Sequence, residues 1–134
     1  MPAAEDRLRQ HPAQRFAGEE HHIDLGAALA ALRGERHPAV DGHRQITVSH
    51  HGPVRLVLFA FEAGGRIPEH RAAGFVTIHV LRGALRVRTP QRSYELGAGS
   101  LLALDPGVPH DVEAPVETDM LLGVHPEGRG ARAR

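Results

Sequence analysis

At 134 residues, 24% of them charged and with a formal net charge of zero, the sequence has room for one hydrophobic core and no excess of either sign to hold a polyanion. Nucleic acid and anionic membrane surfaces are therefore not among the expected partners, and the absence of Cys excludes disulfides and thiolate metal sites without fixing a compartment. The opening MPAAEDRLRQ carries no apolar stretch of the signal-peptide kind, and the longest aliphatic run, Leu56 to Phe61, is far too short to cross a bilayer; a cytoplasmic protein is the expectation.

Residues 1–40 read as an arm followed by one short helix. The arm, to about residue 22, is polar and rich in Arg, Glu and His, with one aromatic, Phe16, to dock it onto a body. In DLGAALAALRG, Asp24 is placed as an N-cap. Leu25, Ala28, Leu29 and Leu32 share one face, and Gly34 stands where a C′ glycine ends a helix, so the pattern predicts a helix over about 25–33. From residue 41 to 126 the texture changes to strand-length apolar runs separated by Gly and Pro: RQITVS, VRLVLFAFEA, FVTIHVL, ALRVRT, SYELG, SLLALD, HDVEA and TDMLLGVH. Runs of this length predict an all-β sandwich or barrel. Turn chemistry agrees, with Gly64, Gly65 and Gly83 interrupting the runs and Asp105-Pro106-Gly107 set as a tight turn. The last residues, 127–134, EGRGARAR, are basic and glycine-containing and are expected to be disordered.

Two segments within the β region carry a recognisable spacing. GGRIPEHRAAGFVTIHVLRG runs Gly64, five residues, His70, one residue, Ala72, three residues, Val76, six residues, Gly83; GSLLALDPGVPHDVEA places Gly99, Asp105, Gly107, His110 and Ala114 at equally defined intervals. These gaps resemble, interval for interval, the two motifs of the cupin superfamily, G-x5-H-x-H-x3/4-E-x6-G and G-x5-P-x-G-x2-H-x3-N. The resemblance covers about residues 42 to 125 and implies a cupin jelly roll, a double-stranded β-helix barrel, in which both motifs face the interior. It also implies a metal site of three imidazoles and one carboxylate. Here the second His is Ala72 and the Glu is Val76, so only His70 and His110 remain at ligand positions.

Most of the eleven histidines have a plain reading as solvated side chains: His11, His21, His22 and His37 lie in the arm and helix flanks, His125 ends the last run, and the adjacent His50 and His51 sit beside an apparent turn and would point to opposite sides of a strand. Strand parity also turns Thr77 and His79 away if Val76 faces inward with Ile78 and Val80, and turns Glu69 and Asp111 away from the side that His70 and His110 share. A divalent transition metal held by His70 and His110 would then keep an uncompensated charge in a barrel, which is costly.

What the replacements leave is an expected interior pocket lined by His70, Ala72, Val76, Ile78, Val80, Leu102, Leu104, His110 and Val112. Two neutral imidazoles there, each able to donate and accept, suit a ligand bearing a carboxylate, carbonyl or hydroxyl. The preferred function is small-molecule binding without a strong metal site. The alternatives are a metal-dependent dioxygenase, isomerase or lyase using His70, His110 and a further ligand, and a non-catalytic interaction module with an empty barrel. The catalytic residues are not assigned: Ser49, Ser93 and Ser100 lie in no strained nucleophile elbow. A homodimer is expected, because an apolar sheet edge and an arm with Phe16 need a surface to cover.

Overall fold

The computed structural model describes residues 18–126; the arm up to residue 17, Phe16 included, and the tail from 127 lie outside the described residues. The helix, α1, spans Leu25–Arg33 as the pattern requires. The Asp24 carboxylate accepts a hydrogen bond from the Ala27 amide at 3.0 Å, which satisfies one of the orphan donors of the first turn. Its end differs from expectation. Gly34 is the C-cap with φ −84°, an ordinary right-handed conformation, so this glycine is not there for a left-handed turn.

Nine strands follow: β1 His43–His51, β2 Val54–Phe61, β3 Arg66–His70, β4 Phe75–Arg82, β5 Ala84–Arg88, β6 Ser93–Gly97, β7 Leu101–Leu104, β8 His110–Glu113 and β9 Thr118–His125. They form a five-stranded sheet ordered β1-β2-β9-β4-β7 and a four-stranded sheet ordered β3-β8-β5-β6, with every pairing antiparallel. Between the sheets lies a core of Val57, Phe59, Phe61, Val76, Ile78, Val80, Leu85, Val87, Leu104, Val112, Ala114 and Met120, drawn from alternate positions as strand parity demands. The all-β jelly-roll expectation is met.

Three details depart from the sequence reading. The strand β3 was not expected, because RIPEH carries charge at both ends and a proline; it survives as an edge strand, the position in which Pro68 needs no ladder partner. His50 and His51 belong to β1, opposite Arg55 and Val54, and the turn is confined to Gly52 and Pro53. The third departure is a second core. In β2 five consecutive residues, Val57 to Phe61, are buried, which one-sided packing cannot do. Leu58 and Ala60 face outward and are covered by Leu29 and Leu32 of α1 with Val48. Leu32, 1% exposed, contributes about 2 kcal/mol by its burial.

Polar contacts lock the helix end to the same sheet. Arg33 donates from Nη2 to the carbonyls of Phe61 and Thr118 and pairs through Nη1 with Asp119, which also accepts from Arg82 Nε at 2.9 Å. Arg82 reaches Glu117 as well, at 2.7 Å, and that hydrogen bond holds the Glu117 carboxyl below its ordinary range. Gly83 turns the chain beside this cluster with φ 92°. A Cβ there would stand 2.5 Å from the Glu117 carbonyl oxygen, so the glycine answers to both its backbone conformation and its close approach.

The two outer faces contrast. On the four-stranded sheet they are a ladder of ion pairs, Arg86 with Glu95 and Glu113 and Arg88 with Asp111. On the five-stranded sheet β4 and β7 turn out Phe75, Thr77, His79, Leu101 and Ala103, without a charge among them; Leu101 is 64% exposed.

Candidate functional site

β3 and β8 are paired so that His70 lies directly across from His110. A register shift between Ile67 and His70 accompanies the pairing. The β7–β8 turn is tied down beside it, the Gly107 amide donating to the Ala72 carbonyl at 2.8 Å. The two imidazoles stand 4.3 Å apart between centroids and tilt by 57°. Each is pinned in the same way: His70 Nδ1 lies 3.0 Å from the carbonyl of Pro68, and His110 Nδ1 lies 3.0 Å from that of Val108. A carbonyl oxygen only accepts, so both bonds require the proton on Nδ1 and leave Nε2 as the remaining ring nitrogen. Their exposure differs, since His110 is 3% exposed while His70 is exposed; the expectation that both are interior holds for His110 only. The pair thus stands at the rim, with one ring in the wall and one in reach of solvent.

The other predicted pocket residues fall where parity put them. Val76, Ile78, Val80, Leu104 and Val112 are core, with Ala72 and Leu102 packed against them. His79 points outward between Leu101 and Leu121, Glu69 is exposed, and Asp111 is engaged at 3.0 Å by Arg88 on the outer face. Among the described residues no group of three or more His, Asp or Glu is gathered as a metal site would need. Two imidazoles beside alanine and a buried valine do not fit a divalent ion that calls for a carboxylate.

The expected cavity is displaced. The described groove, of about 500 Å³, opens between the edge strands β6 and β7 and runs under the β5–β6 and β7–β8 turns; Tyr94, Gln91, Asp105, Pro106 and Pro109 are among its walls. Of the predicted pocket lining only Leu104 takes part, because Val76, Ile78, Val80 and Val112 pack on one another instead. Sequence reasoning passed over Tyr94, although its place in β6 opposite the inward Val87 marks it as an inner-face residue. It also passed over His43, whose ring lies 5.3 Å from Phe59 and 5.5 Å from Phe61 and whose Nδ1 meets the Arg66 carbonyl. The start of β3 carries Arg66 and its end carries His70, so His43 belongs to the opposite end of the barrel.

Burial pushes the His110 imidazolium below the ordinary histidine value, and the charge of His70 adds to the effect against the opposing pull of the Val108 carbonyl and Asp111. The unfolded chain then binds the proton more readily than the folded one, so stability is fully present above the unfolded value of about 6.5 and is lost as pH falls through the lower folded value. Melting temperature against pH is expected to drop on the acid side, and His110→Gln to flatten that drop; a slope unchanged by the substitution would show that His110 is not its source.

A family model described as cupin domain matches residues 57–124, a segment that includes both histidines. The fold is similar to that of an RmlC-like cupin from Shewanella frigidimarina (17% identity over 83% of this chain and 96% of that one, TM-score 0.66). A protein of unknown function from Streptococcus pyogenes is similar too (20% identity, 83% and 91% covered, TM-score 0.66), as is a cupin superfamily protein from Desulfitobacterium hafniense (15% identity, 69% and 84% covered, TM-score 0.63). At these identities the likeness speaks for the fold alone. No curated protein matches the chain.

Proposed function

The chain belongs to the cupin domain family, and on that premise we propose that it binds a small molecule at its barrel rim, with no divalent metal centre. The observation that carries this reading is the pair His70 and His110, both rings held by backbone carbonyls, beside Ala72 and the 3%-exposed Val76. Ordered polar groups at the rim of an apolar interior are what a small ligand requires. Valine in place of a carboxylate removes the counter-charge that a divalent cation needs.

Metal content of the untagged protein is the first test, with well under one ion per chain expected. Restoring the family's ligand set by Ala72→His with Val76→Glu supplies the second. Overpacking costs roughly 1–3 kcal/mol, and uptake of Ni(II), Zn(II) or Mn(II) offsets it, so that the double variant melts higher with metal than without, whereas the parent does not respond. A full equivalent of metal in the parent, abolished by His70→Ala, would put a metal-dependent enzyme in place of this reading. A melting temperature that no small molecule raises would favour an interaction module instead.

A homodimer is proposed alongside, supported by the uncharged outward residues of β4 and β7 and the exposed Leu101. Light scattering at micromolar concentration is expected to give about twice the mass of one 14.5 kDa chain; the mass of a single chain would count against it.

A further inference from the structure

We propose that the ligand of this rim presents two adjacent hydrogen-bond donors on an apolar frame, as a vicinal diol does, and does not meet the histidine pair with a carboxylate. The proposal rests on the small-molecule reading above and goes further by naming what the molecule must offer. The hydrogen bonds from His70 Nδ1 to Pro68 and from His110 Nδ1 to Val108 fix one tautomer in both neutral rings. A free imidazole both donates and accepts, whereas a ring whose Nδ1–H is already engaged offers only the Nε2 lone pair. The sequence alone left donor and acceptor open at each ring; the backbone removes the donor.

The consequence is a pair of rings that presents two acceptors and no donor, 4.3 Å apart on adjacent strands. A carboxylate or an ether oxygen would bring lone pairs against lone pairs, and unpaired polar groups are penalised as they desolvate. Hydroxyls complete both bonds. Ile67, next along β3, and Ala72 and Val108 are partly buried apolar side chains packed against the core, so the frame that carries the hydroxyls meets hydrocarbon. On the neighbouring strands Arg88 is held by Asp111, and Arg86 by Glu95 and Glu113, all on the outer face.

The test has two arms, both on the full chain. Long-range proton–nitrogen NMR of the imidazoles, at a pH well above the ordinary histidine value of about 6.5, is expected to show the Nδ1–H tautomer at His70 and His110. The Nε2–H tautomer at either ring overturns the proposal. In the second arm three probes of one frame are titrated while the His70 and His110 resonances are followed: cis-1,2-cyclohexanediol, its dimethyl ether, and cyclohexanecarboxylate. Saturable shifts in the millimolar range are expected from the diol, with the ether and the carboxylate at least roughly tenfold weaker. A carboxylate or ether that binds as well as the diol overturns the donor rule and leaves small-molecule binding standing. Absence of saturable shifts from all three removes the small-molecule reading at this pair, even where the tautomer is as expected.

Discussion

Phe61→Ala is expected to cost about 3–5 kcal/mol, the range for emptying a fully buried aromatic site, a large share of the stability of a domain this size. Phe61 is 0% exposed. It ends β2 in register with His43 on one side and Thr118 on the other, and its ring stacks on that of Phe59 with 5.9 Å between centroids and 16° between planes. No single neighbour can move into the space, because those flanking it are strands of one continuous sheet. Denaturant unfolding followed by circular dichroism measures the loss, and Phe61→Leu, which keeps most of the volume, should recover the greater part of it. A midpoint within error of the parent for the alanine variant would mean that the two aromatic rings are not the keystone of the β1 end of the core.

Asp119→Ala is expected to be nearly as damaging, for a different reason. The Asp119 side chain is 8% exposed and receives both Arg33 and Arg82, so its removal leaves Arg33, 26% exposed, with only the more distant Glu117 carboxylate, at 3.7 Å, to offset its charge. Breaking such a pair from one side costs about 3–5 kcal/mol; the partial exposure of Arg33 places this case near 3. The melting temperature should fall by roughly 10 °C. Arg33 also holds the last turn of α1 to the sheet through the Phe61 and Thr118 carbonyls. Hydrogen exchange should therefore accelerate in α1 more than in β4 or β9. A loss spread evenly over the sheet would show that Asp119 acts through its own strand and not through the helix.

What was legible in the sequence follows from where information is local. Asp24 announces its cap and Pro106-Gly107 its turn because a few neighbouring residues decide both. The alternation in FVTIHVL reveals which way Val76 and His79 point for the same reason. β3 was hidden, since Pro68 and its charged neighbours oppose a strand in isolation and only the partner β8 makes one of them. The unbroken apolar run in β2 does hold the clue to a second layer: residues buried on both faces need cover on both. The histidine spacing singled out the pair, yet their shared tautomer comes from the carbonyls of Pro68 and Val108, a detail of backbone path that spacing does not carry. The groove between β6 and β7 was out of reach because its walls come from two sheet edges that are never hydrogen-bonded to each other.

Pro68 and the register shift beside it bear on more than the site. Any protein made of open sheets faces the hazard of endless stacking, in which the last strand of one molecule templates the first strand of the next. Such a filament needs two receptive ends per sheet, because a head-to-tail contact that does not close on itself must repeat. One end of the four-stranded sheet is β3, where a proline without an N–H and an exposed Glu69 deny a newcomer its ladder. With that end blocked, a strand-to-strand contact through this sheet has only β6 to form on and cannot repeat head to tail.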